Sequence, residues 1–233
     1  NKRCFMKKVL LIITLFLLLP TTTLAKTYEL KNSEIIISFD DENWTVATRE
    51  NVRNSSLVKK YNMNYKDIES LLEKNSAYAY AINNDNVKKI LEFFVVSPEI
   101  SFGYDDNQIN EFGEILVEET GADSYTIYEN DYKYIKIEYY DFNSKVYLLD
   151  YHTIVNSNYY VFKAQKNSEF NEEEKQQIKE IIDNVIIQKV ANETNFKIDW
   201  IDAITKSVSY MIGVAIACFI IRKINIKNNK NES

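Results

Sequence analysis

YKYIKIEYYDFNSKVYLLDYHTIVNSNYYVFKAQ, residues 132–165, is the stretch of sequence that decides the fold. It contains three runs rich in Tyr, Val, Ile and Phe, which are residue types that favour strands. The segments between the runs, 141–145 and 156–158, supply the Asn, Asp and Ser that tight turns use. Together with one run before them, these segments predict an antiparallel meander of four strands. The predicted strands are 124–128, 132–140, 146–154 and 159–165.

The segments outside this meander predict further strands and three helices. Apolar residues at helical spacing indicate a helix at 65–74, a second helix that ends at Gly121, and a closing helix that begins near Asn171. Residues 51–64 are polar and are predicted to be irregular. This order predicts an α+β fold in which flanking helices cover an antiparallel sheet. The remaining predicted strands are 34–40, 44–48, 77–82 and 87–96.

Three parts of the chain carry a resemblance to a known family. They are IIISFDDENW at 35–44, LLDYHTIVNSNYYVFKAQ at 148–165 and EEEKQQIKEIIDNVII at 172–187. With the elements between them, they resemble the PsbP-like α/β/α sandwich over residues 28–188. The Pro-Gly that is common before the Trp in related bacterial domains is replaced here by Asp41-Glu42-Asn43. The resemblance implies a mostly non-enzymatic domain whose relatives include binders of protein partners, and it assigns no site residue.

Two apolar segments flank this domain and predict its location. Met6-Lys7-Lys8 precedes an apolar run at 9–19, and small residues lead to Ala25. We therefore expect residues 1–25 to be an N-terminal extension and a signal peptide that is cleaved after Ala25, with an uncleaved anchor as the alternative. Residues 203–221 are apolar and long enough to span a bilayer, and basic residues follow them.

These segments predict a single-pass protein of the cell membrane, with its N-terminal domain extracellular and its C-terminus cytoplasmic. The predicted parts are the signal region 1–25, the domain 26–188, a stalk 189–202, the transmembrane helix 203–221 and a basic tail 222–233.

Small residues recur on one face of the predicted transmembrane helix. Ser209, Gly213 and Ala217 are spaced by four residues, and small side chains at this spacing let two helices approach closely. The spacing predicts a homodimer through the membrane. The alternative is that these are ordinary small residues of a single span.

Composition restricts the partners of the domain. Residues 26–202 contain 33 Asp and Glu against 19 Lys and Arg, a net charge of −14, which excludes nucleic-acid binding. Both cysteines, Cys4 and Cys218, lie outside this range, so the domain has no disulfide. An exported domain without disulfides, in a chain rich in Asn, Ile, Lys and Tyr, favours a low-GC Gram-positive bacterium.

Acidic residues concentrate in one part of the domain. Residues 90–132 contain eleven Asp and Glu and no Lys or Arg. One interpretation is an acidic patch that meets a cationic partner or loosely held divalent ions. The other is that these side chains form the solvated face of the helix that ends at Gly121.

The sequence contains no catalytic signature. His152 is the only histidine, and we expect it to be a structural residue on a sheet face with a hydrogen-bonded partner. There is no P-loop, GxGxxG or HExxH motif. We therefore predict no catalytic residue, no cofactor and no metal site. Paired carboxylates among the many Asp and Glu, as in a cell-wall hydrolase, are the enzymatic alternative.

Tyrosines are the candidate binding residues. On the strand 132–140, Tyr132, Tyr134 and Tyr140 share a face with Lys136 and Glu138, which suggests partial exposure. Tyrosine rings on a sheet can bind a glycan or a protein, or they can simply pack between strands. The predicted binding residues are Tyr132, Tyr134, Tyr140, Tyr147 and Tyr151.

The sequence as a whole predicts a membrane-anchored extracellular binding or interaction module that is not catalytic. The expected partners are the membrane, through one C-terminal span, and a protein or cell-wall component. The alternatives are a cell-wall-acting hydrolase and an accessory subunit of a membrane complex.

Overall fold

The computed structural model describes residues 25–84, 91–97, 108–156 and 158–188. The predicted transmembrane helix, with Ser209, Gly213 and Ala217, lies outside these residues, as do the stalk and most of the signal region. Within the described ranges, the helices are all too short or too polar to cross a membrane.

The described chain forms an α+β fold with antiparallel sheets and flanking helices. The strands are β1 (Ala25–Leu30), β2 (Ile35–Asp40), β3 (Trp44–Thr48), β4 (Ala77–Asn83), β5 (Glu92–Val96), β6 (Tyr125–Glu129), β7 (Lys133–Asp141), β8 (Val146–Val155), β9 (Asn158–Lys166) and β10 (Ile186–Ile187). The helices are α1 (Ser56–Tyr61), α2 (Tyr65–Lys74), α3 (Gln108–Thr120) and α4 (Glu172–Asp183).

Seven strands form the main sheet, in the order β3-β4-β5-β9-β8-β7-β6. The predicted meander is confirmed, because β6, β7, β8 and β9 are neighbours in sequence order and pair antiparallel. Each of these strands begins and ends within one residue of its predicted bounds. Short polar turns and β-branched or aromatic strands are local signals, so this part could be read directly from the sequence.

A second sheet of three strands, in the order β1-β2-β10, was not predicted. β2 pairs with β1 along its length, from Ala25↔Asp40 to Leu30↔Ile35, and with β10 at Ile186↔Ile36. β1 is mostly exposed and β10 has only two residues, so neither shows an apolar pattern of its own. Both are strands because each pairs with one edge of β2.

The prediction that residues 51–64 are irregular is wrong. A 3₁₀ turn at Val52–Asn54 leads into α1, and the hydroxyl of Ser55 accepts a hydrogen bond from Val58 N as an N-cap. Asn62, at φ 48°, ends the helix in the left-handed conformation. α1 has six residues and buries Leu57 alone, which is too little for a helical period to appear in the sequence.

The two faces of the main sheet carry two separate hydrophobic cores. We call the face that packs against α4 and the small sheet the α4 face, and the opposite one, covered by α1, α2 and α3, the α3 face. Because side chains alternate along a strand, Leu149 and Tyr151 of β8 point to the α4 face, whereas Asp150 and His152 lie on the α3 face.

Candidate functional site

A cluster of three aromatic side chains lies at one end of the β7–β8 hairpin. Tyr140 and Tyr147 are cross-strand partners, with ring centroids 4.8 Å apart. Phe142, in the turn, is 4.9 Å from Tyr140 and is 82% exposed. The side chain of Asp141 accepts a hydrogen bond from Asn143 N at 2.9 Å, so the turn that displays Phe142 is tied to the end of β7.

A groove of about 540 Å³ lies beside these rings. We call it the tyrosine groove. Residues of β6, β7 and β8 and of the segment before α4 line it, among them Tyr140, Tyr147 and Phe170. Lys136 and Lys175 also reach the groove. It therefore combines aromatic rings with polar groups, which is the usual composition of a recognition site.

The charges at the tyrosine groove are partly paired. Lys175 Nζ lies 2.8 Å from Glu138 Oε2, and this hydrogen bond raises the pKa of Lys175. Glu172 also lies 3.8 Å from Lys175. The other charged residues that line the groove are Asp123, Lys136 and Glu169. The groove is thus a mixed-charge surface rather than a site for a single strong ion.

The predicted binding tyrosines fall into three groups in the structure. Tyr140 and Tyr147 are half-buried and line the tyrosine groove. Tyr134 and Tyr151 are buried in the core of the α4 face, with burial raising the pKa of Tyr151 to about 12. The expected partial exposure is therefore wrong for Tyr134, because the rings of Tyr128, Tyr132, Tyr151 and Phe162 surround it.

Tyr132, the fifth predicted residue, connects the two sheets. Its hydroxyl accepts a hydrogen bond from Ile187 N at 2.8 Å and lies 3.3 Å from Ile187 O, to which it donates. It is half-buried against the core of the α4 face. These bonds use both the donor and the acceptor of the hydroxyl to hold β10, so Tyr132 has a structural role.

The α3 face contains a second group of interest, a buried polar cluster formed by Asp150, His152 and Lys163. Asp150 and Lys163 are cross-strand partners, and Lys163 Nζ lies 3.8 Å from Asp150 Oδ2. Tyr139 donates a hydrogen bond to the same oxygen at 3.1 Å. Asp150 and His152 are 0% exposed and Lys163 is 1% exposed.

Burial shifts the protonation of this cluster. Desolvation raises the pKa of Asp150 to about 6, against the lowering effects of Lys163 and Tyr139. Desolvation, and then the charge of Lys163, lower the pKa of His152 to about 3. His152 is therefore neutral at pH 7. Its Nε2 lies 3.8 Å from Asp150 Oδ2, but the contact is not an ion pair.

His152 lies on a sheet face with a hydrogen-bonded partner, as predicted. Its Nδ1 lies 2.6 Å from the hydroxyl of Tyr159, and the two rings stack at 5.9 Å between centroids. Phe112 of α3 meets both rings edge-on. Among the residues that the structure describes, neither His152 Nε2 nor Asp150 Oδ1 has a hydrogen-bond partner.

Sequence reasoning missed Lys163 and Tyr139 as members of this cluster. A lysine within an apolar strand was the available signal, since buried lysines are rare and normally paired. Assigning its partner required the register of β8 against β9, which pairs Asp150 with Lys163.

The enzymatic alternative needs an accessible pair of carboxylates. The buried carboxylate Asp150 contacts a lysine, a tyrosine and a histidine. Asp150, His152 and Lys163 are all shut off from solvent. In the described part of the chain, no three His, Cys, Asp or Glu side chains are grouped so that they could hold a metal ion.

Comparisons with known proteins do not identify this chain. No family model matches the sequence, and neither the curated proteins nor the solved structures gave a match. The likeness to the PsbP-like sandwich stays a prediction from the order of elements, and function must be argued from the surface itself.

Proposed function

We propose that this protein is a membrane-anchored extracellular binding module, and that the tyrosine groove holds its partner. One observation carries the proposal: Tyr140 and Tyr147 line a groove of about 540 Å³ beside Phe142, which is 82% exposed. An exposed phenylalanine next to two half-buried tyrosines forms an aromatic surface that the packing of the core does not require. Aromatic residues are enriched at binding interfaces.

The chemistry of the groove supports binding rather than catalysis. Lys175, which lines the groove, already forms an ion pair with Glu138. Asp150 and His152, whose pKa values are shifted by burial, are fully buried on the α3 face, whereas Tyr140 and Tyr147 belong to the α4 side. A ligand in the groove would therefore meet aromatic rings and partly paired charges.

The location is proposed from the sequence. The apolar run at 9–19 with its basic start and the apolar segment 203–221 with its basic tail support an exported domain on one C-terminal span. The order of strands and helices supports a PsbP-like α/β/α sandwich between them. A domain held close to the bilayer would meet a membrane protein or a cell-wall component.

The proposal is tested by capturing partners from native membranes. The full-length protein carries an affinity tag on its C-terminal tail, and bound proteins and glycans are identified by mass spectrometry. We compare the wild type with a triple variant, Tyr140→Ser, Phe142→Ser and Tyr147→Ser. We expect one partner at near-equal amount with the wild type and at least tenfold less with the variant.

A matched control separates the groove from general loss of aromatic surface. Tyr65→Ser removes a half-buried tyrosine at the start of α2, on the other side of the sheet. This control should capture the partner as well as the wild type does. Equal capture by the triple variant would overturn the assignment of the tyrosine groove, and thermal melting verifies that the triple variant is folded.

Association through the span is a separate proposal. The spacing of Ser209, Gly213 and Ala217 supports a homodimer, and Gly213→Ile would separate the two helices. We expect the variant to lose the dimer in cross-linking of intact membranes. An unchanged cross-linked dimer would remove this proposal without affecting the tyrosine groove.

A further inference from the structure

Among the residues that the structure describes, none pairs with the outer edge of β6. β6 is the last strand of the main sheet and pairs with β7 from Tyr125↔Ile137 to Glu129↔Lys133. Thr126 and Ile127, which point to opposite faces, are both exposed, whereas all five residues of β3, at the far end of the sheet, are buried.

An open edge of this kind presents unpaired backbone N–H and C=O groups, to which another extended chain can pair. Proteins commonly protect such edges with lysines, prolines or bulges. β6 has none of the three: its residues are Tyr, Thr, Ile, Tyr and Glu, and its pairing with β7 runs without a register shift.

β6 is also held firmly from both faces. Tyr125 packs so closely on α3 that a Cβ at Gly113 would lie 2.5 Å from its ring, and its hydroxyl donates a hydrogen bond to Asn110 O at 3.2 Å. On the opposite face, Tyr128 donates a hydrogen bond to Asp183 of α4. A strand fixed in this way loses little conformational freedom when a partner pairs with it.

The charge around β6 selects the partner. Residues 108–132 contain seven acidic residues and no lysine or arginine, and all seven side chains are exposed. The cations next to β6 are Lys133 and Lys136 of β7, which are the cross-strand partners of Glu129 and Thr126, and Lys179, which is 2.6 Å from Asp183. The field at the edge therefore attracts basic segments and repels acidic ones. The seven residues are Glu111, Glu114, Glu118, Glu119, Asp123, Glu129 and Asp131.

The tyrosine groove begins where β6 begins, because Asp123 and Thr126 line it together with Tyr140 and Tyr147. We propose that the outer edge of β6 receives an extended, lysine- or arginine-rich segment of a partner protein as an added strand, whose side chains reach the tyrosine groove. This inference rests on the proposed binding function and names the chemistry of the partner.

The test uses the full-length protein in nanodiscs of zwitterionic lipid, which do not attract basic peptides. The probe is a fluorescent ten-residue peptide that alternates Lys and Thr, and binding is measured by fluorescence anisotropy against empty nanodiscs. A peptide that alternates Glu and Thr is the charge control. A Lys-Thr peptide with N-methyl groups on alternate amides is the control for backbone pairing. We expect the first peptide to bind and both controls to bind at least tenfold more weakly.

Two proline variants then locate the site. Successive N–H groups of a strand point to opposite edges, so one of Thr126→Pro and Ile127→Pro blocks the outer edge and the other breaks the pairing with β7. The variant that keeps the melting temperature of the wild type is the outer-edge variant. We expect it to bind the peptide at least tenfold more weakly.

The acidic field is tested with a matched pair of variants. Glu118→Gln with Glu119→Gln removes two charges near β6, and Glu50→Gln with Glu73→Gln removes two exposed charges, one after β3 and one on α2, away from β6 and the tyrosine groove. The first should weaken peptide binding by about threefold to tenfold at low salt, and the second should leave it unchanged.

The outcomes separate the two proposals. Equal binding of the methylated peptide, or full binding by the outer-edge variant, would overturn strand addition. If the triple variant of the tyrosine groove still loses its native partner in that case, the binding function stands and only the added strand is wrong. If the peptide binds as expected while that native capture does not depend on the groove, the assignment of the tyrosine groove is wrong instead.

Discussion

The two faces of the main sheet are built from the same strands but bury different chemistry. On the α4 face, β8 and β9 contribute Leu149, Tyr151 and Phe162 to an apolar and aromatic core. On the α3 face, the alternate positions of the same strands carry Asp150, His152 and Lys163. Losing one of these apolar side chains of the α4 face should leave a cavity, whereas losing Asp150 or Lys163 should leave the other buried charge without its counter-charge.

The buried lysines of the two faces are also paired in different ways. The buried lysine of the α4 face, Lys166, contacts Glu174 directly, and Glu174 reaches solvent. The lysine of the α3 face, Lys163, is 3.8 Å from Asp150, and both are shut off from water. We therefore expect the stability that the polar cluster contributes to depend on pH. We expect the stability that the core of the α4 face contributes to depend on the volume of its side chains.

The largest effect on stability is expected on the α4 face. Phe162 is 0% exposed and packs against Tyr134, so Phe162→Ala should lower the free energy of unfolding by about 4 kcal/mol through lost burial and a cavity. Urea denaturation at pH 7 measures it. The loss should be the same at pH 5, since no titrating group is removed. A loss below about 1 kcal/mol would mean that this core is loosely packed.

The next largest effect is expected from breaking the buried polar cluster. Asp150→Asn leaves Lys163 without its counter-charge and should cost about 3 kcal/mol at pH 7. The double variant Asp150→Asn with Lys163→Met removes both charges and should recover most of that loss. Urea denaturation of the two variants decides the point. If the double variant is no more stable than the single one, the pair is not the source of the loss.

A smaller effect concerns pH, and its sign follows from the two shifted pKa values. Asp150 is raised from 3.8 to about 6, so its contribution is present below pH 4 and is lost as the pH rises through 6. His152 is lowered from 6.5 to about 3, so its contribution is present above pH 6.5 and is lost as the pH falls towards 3. Between about pH 4 and 6 the two slopes cancel.

Removing one member of the cluster should expose the slope of the other. In His152→Gln, the free energy of unfolding should fall with rising pH between 4 and 6, by about 1.4 kcal/mol per pH unit relative to the wild type. Asp150→Asn should show the opposite slope. Urea titrations across this range provide the test, and parallel curves for all three proteins would contradict the shifted pKa values.

The smallest effect on stability is expected at the tyrosine groove. Phe142 is 82% exposed, so Phe142→Ser should change the free energy of unfolding by less than about 0.5 kcal/mol. The same change should weaken capture of the partner by the full-length protein. A loss of stability above about 1 kcal/mol would show that Phe142 supports the hairpin, and would weaken the case for it as a binding residue.

Much of the fold could be read from local signals. α2 was predicted with its observed bounds because Ile68, Leu71 and Leu72 recur at helical spacing. The closing helix begins after Asn171, whose side chain forms a capping box with Glu174. Gly121, at φ 70°, follows α3 as predicted. Glu111, Glu114 and Glu118 are exposed, which agrees with both interpretations of the acidic run.

The candidate site was predicted less well than the fold. The sequence selected tyrosines by their position on strands, but it did not distinguish Tyr140 and Tyr147, which line the groove, from Tyr134 and Tyr151, which are buried. All four lie on the same side of the sheet. They differ in whether α4 and the small sheet cover them. The sequence did not predict this cover, because β1 and β10 show no apolar pattern of their own.

The sequence by itself determined the alternation of side chains along each strand, and so it placed Asp150 and His152 on the face opposite Tyr151. It also determined the acidic charge of residues 108–132 and the turns of the meander, since all of these depend on neighbours in the chain. Only the tertiary structure decided that Lys163 faces Asp150, that Tyr134 is covered and Tyr140 is not, and that β6 is the edge of the sheet. Register, cover and strand order are set by the packing of segments distant in sequence, whose combined burial outweighs any local preference.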